Sequence, residues 1–489
     1  MTKIAIKNLG CKVNSYEADV MRQNLLENGF VVVPFDEIAD IYLVNTCTVT
    51  NIADRKSRQM LARARHLNPQ ALVVAVGCYV DNVHGRTQGP PLQPPAPLFD
   101  LAIPNDQKPQ LIPILQEYIA QTHPGPVQRP HVPCGGPYNQ DIATNERGGE
   151  MSVEGIPYFE GIPYFVGEGL APPACLDCGN RLRHLPARTR AFIKIEDGCN
   201  QFCSYCIVPH VRGRVRSRPA EDIAAELTAL VNEGCREAVL TGINLSAYGT
   251  DRSEKDALLA LLERLAALPG LLRLRLSSLE PQIVTPAFAE RLAAIEKVCP
   301  HFHLSLQSGC DATLARMNRR YTTAEYLEKT EILRAAYQGP ALTTDVIVGF
   351  PGETEAEFAE TEAFLRRVSF AEMHVFPYSK RSGTAAATLP GQIPAAIKKE
   401  RANRLLQLGE TMAQAYRQRL AGKKTNIILE DTKTIGGETY WFGYTPEYIR
   451  IAVPQAEFAD RHVQPGMLVD VVITLNKRKT FAAQYGTVI

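Results

Sequence analysis

The sequence predicts a multidomain α/β protein: an N-terminal doubly wound α/β domain, a central partial β/α barrel and a small C-terminal β-barrel. Three observations predict it. Short apolar runs alternate with helical patterns over residues 1–120. The same alternation returns six times in succession over 186–415. The tail, 420–489, is β-rich with glycine turns between its runs. Strand–helix alternation argues a parallel sheet, six βα units make a partial or complete barrel the economical arrangement, and short β runs alone suit a small barrel. A length of 489 residues fits about three domains at roughly 150 residues each.

In the N-terminal domain the expected strands are Lys3–Lys7, Ile41–Asn45 and Leu72–Gly77, with helices over Tyr16–Glu27 and Ala53–Arg65. A further strand and helix are expected in Leu98–Ile103 and Lys108–Ala120. Residues 121–185 are dense in proline and glycine and read as an insertion or linker. In the barrel, strands are expected at Ala191–Ile195, Glu237–Thr241, Leu272–Ser277, His301–Leu306, Leu342–Val348 and Glu372–Phe376. Helical patterns at Ala220–Asn232, Asp256–Ala267, Pro286–Lys297 and Glu353–Arg366 separate them. The tail offers strands at Thr425–Glu430, Tyr448–Val453 and Val469–Leu475.

Composition bounds the function. Hydrophobic residues at 45% and charged residues at 21% exclude disordered, collagenous and fibrous classes. The 53 basic and 52 acidic residues cancel, so any nucleic-acid surface must be local. Twelve cysteines fall well below the roughly 8–10% of a disulfide scaffold. Met1–Lys7 has no signal-peptide core, and the longest apolar stretch, Ala71 to Val80, is far short of the ~20 residues that span a bilayer. A soluble, cytoplasmic protein without a membrane partner is expected. In such a reducing compartment, clustered cysteines are metal ligands or catalytic groups.

Cys199-Asn-Gln-Phe-Cys203-Ser-Tyr-Cys206 is the strongest local signal. Three thiolates in one short loop can converge on one metal centre. Closed iron–sulfur clusters use four cysteines. With three, one iron is left to take an exogenous ligand, as a catalytic metal requires. A structural zinc site would need a fourth ligand, for which His210 is nearest in sequence. A second triplet, Cys11, Cys47 and Cys78, is widely spaced, but each cysteine comes just after an expected strand. The carboxyl ends of parallel strands share one edge, where ligands bind.

The loop C-x3-C-x-aromatic-C at the start of a β/α barrel resembles the radical S-adenosylmethionine superfamily. With the second triplet the resemblance narrows to the radical methylthiotransferases. Cys11-Lys12-Val13-Asn14, Asn45-Thr46-Cys47 and Gly77-Cys78-Tyr79 match that family's N-terminal domain. Arg188–Cys199, Leu276–Pro281, Leu306–Gly309, Thr344–Glu353 and His374–Ser379 match its barrel, and the tail resembles its TRAM domain. The resemblance implies two 4Fe–4S clusters: one on Cys199, Cys203 and Cys206 that binds S-adenosylmethionine, and an auxiliary one on Cys11, Cys47 and Cys78 that carries or donates sulfur. It implies a 5′-deoxyadenosyl radical, an external electron donor and tRNA as partner, with no catalytic side chain beyond the cluster ligands. Leu9–Glu17 resembles the branch acting on N6-threonylcarbamoyladenosine at tRNA position 37. Isopentenyladenosine-37, a ribosomal-protein aspartate, and a non-catalytic RNA-binding protein stiffened by metals are the alternatives.

Tyr205, the aromatic of the motif, is expected beside the adenine of the cofactor. Gly242, Asn244, Ser277, Glu280 and Gln307 fall at or just beyond strand ends, the face that carries active sites in β/α barrels, and are expected to line the cofactor pocket. Arg212, Arg214, Arg216 and Arg218 alternate after the cysteine loop and are expected to meet nucleic-acid phosphates. Cys175-Leu-Asp-Cys178, with Cys134 nearby, resembles half of a zinc knuckle and cannot close a tetrahedral site by itself.

Overall fold

A computed structural model describes residues 1–83, 98–122, 189–459, 461–474 and 484–488. The expectations for 121–185, with Cys134, Cys175 and Cys178, lie outside the described residues. The chain forms two compact units: Met1–Leu9, Asn24–Thr48 and Ile52–Ala174 in one, Gly10–Gln23, Val49–Asn51 and Cys175–Ile489 in the other.

The first unit is built on a five-stranded parallel sheet. Its strands are β1 (Lys3–Asn8), β2 (Val31–Val33), β3 (Ile41–Thr46), β4 (Leu72–Gly77) and β5 (Leu101–Ile103), in the order β2-β1-β3-β4-β5. β3 and β4 are buried at every residue. Continuous apolar runs suit central strands covered on both faces. Several elements differ from the expectation, among them a short helix, Cys78–Val83, that it lacked. β2 is three residues long and leaves no periodic signal. The helix expected at Lys108–Ala120 splits into a 3₁₀ segment, Asn105–Gln110, which holds Pro109, and an α-helix, Leu111–Thr122. A helix expected from Tyr16 starts earlier, at Lys12.

The second unit contains the partial barrel. β6 (Arg190–Lys194) is followed by a short hairpin-like pair, β7 (Glu196–Asp197) and β8 (Arg216–Ser217). Next come β9 (Glu237–Thr241), β10 (Arg273–Leu276), β11 (Ser278–Leu279), β12 (His301–Leu304), β13 (Ala341–Val348) and β14 (Glu372–Pro377). β6, β9 and β10 form one parallel sheet and β11 to β14 another, and a parallel bridge between Leu274 and Val298 follows the first sheet's edge. Helices Ala220–Asn232, Ala257–Ala266, Pro286–Ala293, Thr323–Ala336 and Glu355–Val368 alternate with the strands. The α/β class and the barrel expected from the sequence are borne out.

Strand alternation gives the barrel two unlike faces. Ile193, Leu240, Leu274, Phe302, Leu342, Val346 and Met373 join one apolar core with the helices. Most of the intervening residues are polar, among them Arg190, Glu237, Arg273, Arg275, His301, His303, Asp345 and His374, with Phe192, Val239, Ile347 and Phe376 as apolar exceptions. A filled β/α barrel packs branched apolar side chains on its inner face. Here a polar interior is held by ion pairing. Glu237 is buried, 2.9 Å from Arg275 Nε, 3.5 Å from Arg273 Nη1 and 3.8 Å from Arg190 Nη1. The three guanidiniums hold its carboxyl below the usual range against the opposing push of burial.

The tail is a closed barrel of β15 (Lys424–Ile435), β16 (Glu438–Tyr444), β17 (Arg450–Pro454), β18 (Leu468–Thr474) and β19 (Gln484–Val488), in the order β15-β16-β17-β19-β18. Two of these strands, β16 and β19, were absent from the expectation. The same arginines reach it. Arg273 donates to the Tyr444 carbonyl at 2.7 Å, Arg275 to that of Pro446 at 2.8 Å, and Arg190 pairs with Glu430 at 2.8 Å. Removing the charge of Glu237 therefore strands several buried cations. Glu237→Gln should lose about 3–5 kcal/mol of stability, read as a lower midpoint in urea unfolding.

Candidate functional site

The cysteine loop leaves β7 and is shaped by its backbone. Gly198 has φ +83, and a Cβ there would stand 1.9 Å from the Arg214 carbonyl oxygen, so only glycine fits. Cys199 donates its N–H to Gly213 O at 3.0 Å, and Cys206 donates to Cys203 O at 3.0 Å. Ser204 fastens the loop to the barrel, its N–H on Met317 O at 3.0 Å and its hydroxyl on Arg316 O at 2.8 Å. Two donors point at sulfur: Gln201 N–H to Cys199 Sγ at 3.4 Å, and Arg319 Nη1 to Cys203 Sγ at 3.3 Å. Burial pushes the Cys199 thiol up to about 11 and the Cys206 thiol up to about 12, and Cys203 adds to both. The three thiols belong to one eight-residue loop and act on one another electrostatically. Three cysteines in one loop are a ligand set for a metal centre, and sulfur-directed N–H donors are the kind that tune an iron–sulfur cluster. The residues fit a 4Fe–4S cluster with three protein ligands. His210 is exposed and packs edge-on against Phe202, ring centres 5.9 Å apart.

Two of the expected pocket residues meet a carboxylate that sequence reasoning missed. Glu196 Oε2 accepts from Asn244 N–H at 2.8 Å, and a Cβ on Gly242 would lie 2.7 Å from the same oxygen. Asn244 Oδ1 caps the following 3₁₀ turn by accepting from Ser246 N–H. Glu196 Oε1 is buried and has no hydrogen-bond partner among the described residues. Burial pushes its carboxyl up to about 8. Glu280 pairs with Arg319, which also donates to Cys203 Sγ, so this residue is wired to the cysteine loop. Ser277 and Gln307 stand just past β10 and β12. The Ser277 hydroxyl is buried without a hydrogen-bond partner among the described residues, and Gln307 holds φ 71 while bridging to β13. Tyr205 packs edge-on against Phe350 at 6.5 Å, and burial raises its hydroxyl well above the ordinary value. Arg319 lies outside the matched motifs, and Glu196, though inside Arg188–Cys199, is not singled out by that match. The one sequence signal was the place of Glu196, two residues past a strand and three before Cys199.

The arginine run divides, which corrects half of the phosphate-contact expectation. Arg212 is buried, its guanidinium 3.0 Å from Glu17 Oε1, 3.1 Å from Asp197 Oδ1 and 2.7 Å from Asn14 Oδ1. Arg218 is buried on Glu226 at 2.6 Å and on the Lys194 carbonyl. Both are consumed inside the fold. All four stand two residues apart, so strand alternation alone would turn them the same way; Arg212 instead closes the short helix Val208–Val211, and Gly213 at φ 76 turns the chain before Arg214. Arg214 remains exposed, with its guanidinium 4.4 Å from the Phe202 ring centre, and Arg216 is partly exposed.

In the first unit, Cys47 directly follows β3 and Cys78 directly follows β4. The last residues of these strands, Thr46 and Gly77, pair in register. Cys47 and Cys78 are buried, and Asn105 Nδ2 donates to Cys78 Sγ at 3.4 Å. Cys11 is exposed and lies three residues beyond β1, the strand next to β3.

A three-cysteine loop after the first strand of a parallel partial barrel, with a polar interior, defines the class of radical S-adenosylmethionine enzymes. Residues 193–365 match the model of the Radical SAM superfamily, and residues 3–88 match that of uncharacterized protein family UPF0004. The chain is 35% identical over 458 residues to a threonylcarbamoyladenosine tRNA methylthiotransferase of Bacillus subtilis, covering 94% of this chain and 91% of that one. Identity to the protein of the same description from Aquifex aeolicus is 34%, covering 90% and 95%. A tRNA-2-methylthio-N(6)-dimethylallyladenosine synthase of Moorella thermoacetica is 34% identical, covering 86% and 85%. The chain belongs to the radical S-adenosylmethionine methylthiotransferase family. It is an enzyme, and its family chemistry rests on a 4Fe–4S cluster and S-adenosylmethionine. Among the described residues no helix is long and apolar enough to cross a membrane.

Glu196 supplies a pH test. Its carboxyl lies above the ordinary value in the fold, so protonation favours the folded state. That contribution is complete below about 4.5 and is lost as pH rises through about 8. Stability should fall by up to about 1.4 kcal/mol per pH unit across this window. Glu196→Gln should flatten the slope, as measured by urea unfolding at a series of pH values.

Proposed function

We propose that this enzyme converts N6-threonylcarbamoyladenosine at position 37 of tRNA to its 2-methylthio derivative. The observation that carries this reading is Lys12, in the segment Leu9–Glu17. Its ammonium makes no hydrogen bond or ion pair among the described residues. It is open to solvent yet walled in by protein, and burial, with Arg275 and Arg190, holds it below its ordinary value. A threonylcarbamoyl group brings a carboxylate, an isopentenyl group brings none. A cation that makes no ion pair of its own favours the former. The near-equal identities to relatives of both descriptions leave this choice to the site.

When bound, the cluster and S-adenosylmethionine supply the electron transfer and the radical that removes an unactivated hydrogen. The chain's own residues hold and orient. Cys199, Cys203 and Cys206 bind the cluster, and Arg319 donates to Cys203 Sγ while neutralising Glu280. Glu196 offers its free Oε1 to the cofactor's ammonium, and Gly242 leaves the room for this approach. Tyr205 closes an apolar wall with Phe350. By the resemblance of their motifs, Cys11, Cys47 and Cys78 are assigned to a second 4Fe–4S cluster that provides sulfur. tRNA contact is assigned to Arg214 and Arg216 with the C-terminal barrel, and a soluble one-electron donor completes the cycle in the cytoplasm.

Anaerobically reconstituted protein should hold about eight irons, and about four when Cys11, Cys47 and Cys78 are replaced by alanine. That variant should still cleave S-adenosylmethionine reductively but make no methylthio product. Mass spectrometry of digested tRNA from cells with and without this protein tests the substrate. The 2-methylthio-N6-threonylcarbamoyl nucleoside should disappear and the isopentenyl counterpart persist; loss of the isopentenyl product alone would overturn the assignment. Lys12→Met should cut turnover of the threonylcarbamoyl substrate by ~10-fold or more, the size of one lost charge-assisted contact.

A further inference from the structure

Three side chains that the proposed chemistry does not use meet on the inner face of the partial barrel. His303 of β12, Asp345 of β13 and His374 of β14 come from three successive parallel strands, with Asp345 and His374 paired in register. Their ligand atoms all lie within 4.8 Å of one another. His303 Nε2 is 3.5 Å from Asp345 Oδ2, and the two imidazoles stack with centres 6.1 Å apart. His303 Nδ1 lies 3.1 Å from Thr343 Oγ1. With that hydroxyl accepting, the ring carries its proton on Nδ1 and presents a lone pair on Nε2. This Nε2 is buried and has no hydrogen-bond partner among the described residues. An orphaned buried ring nitrogen is costly unless something occupies it.

We propose that His303, Asp345 and His374 bind one divalent transition-metal ion, with open coordination positions facing the barrel interior. Two imidazoles and one carboxylate are a recurring donor set for such ions, and a hydrogen bond that fixes the outer nitrogen is the usual support of a ligating histidine. The spacing suits it. Two ligands held tetrahedrally at about 2.0–2.1 Å stand roughly 3.3 Å apart, close to the 3.5 Å between His303 and Asp345. His374 is exposed on the outermost strand of its sheet, so its ring is free to close the remaining gap. The surrounding charges choose the metal. Lys12 acts on Asp345 from one side, and Arg275, Lys12 and His301 share the same interior. These cations weaken a purely electrostatic site. Binding must come from the imidazole nitrogens, which favours zinc, iron, cobalt or nickel over calcium and magnesium, with manganese the weakest binder of the transition series.

Manganese is the probe, because it avoids thiolates and its resonance is visible beside oxidised, diamagnetic clusters. Titrating Mn²⁺ into the reconstituted holoenzyme should remove one equivalent of the free-ion six-line signal per chain. The frozen complex should show imidazole nitrogen modulation, and Zn²⁺ should release the manganese, as the order of affinities requires. His374→Gln should abolish binding with iron and sulfide content unchanged. Thr343→Val, which removes only the anchor of the His303 ring, should weaken it about 10-fold or more. No binding at millimolar Mn²⁺, binding without nitrogen modulation, or equal binding by His374→Gln would overturn the proposal.

Discussion

The buried carboxylate of Glu237 is the interaction on which the second unit depends. It stands among Arg190, Arg273 and Arg275, and is itself buried. Taking these charges out of water is expensive, and their mutual attraction returns the cost only with further hydrogen bonds. The further bonds come from the tail: the carbonyls of Tyr444 and Pro446 and the side chain of Asn426. One acidic residue therefore makes a polar barrel interior compatible with a folded chain, and fixes the C-terminal barrel's loops to the strands they serve.

A polar interior is also what leaves room for chemistry. Had the inward positions been branched and apolar, they would have closed into the layered filling of an ordinary β/α barrel. Instead the inner face keeps unsatisfied groups at several levels: Glu196 Oε1 and Ser277 Oγ near the strand ends, His303 Nε2 lower down. Each carries a desolvation cost that packing alone does not recover. Their clustering on one face, opposite an apolar core with no such orphans in its strands, marks that face as the place where ligands are expected.

Arginine plays opposite parts within one short stretch. Arg212 and Arg218 are structural, since each finds a buried carboxylate, Glu17 or Asp197 and Glu226. Arg214 and Arg216 keep their outward faces. Arg319 is intermediate, buried on Glu280 and Tyr321 while one N–H reaches a cysteine sulfur. Charge count alone would have given all of them one role.

By itself the sequence determined the chemistry and the order of elements. Residues that act through covalent or metal bonds must be of one type at one spacing, so Cys199, Cys203 and Cys206 were legible, and long apolar runs such as Leu72–Gly77 placed the strands almost to the residue. Short or irregular pieces, β2, β16 and β19, left too little periodicity to read. Tertiary structure decided everything that depends on partners distant in the chain. That Glu196 faces Gly242 and Asn244, that Arg319 joins Glu280 to Cys203, that Arg212 is spent on Glu17, and that His303, Asp345 and His374 form one cluster all follow from strand register and facing. These are set by which side of each strand the core buries, a property of the folded sheet rather than of any local run of residues.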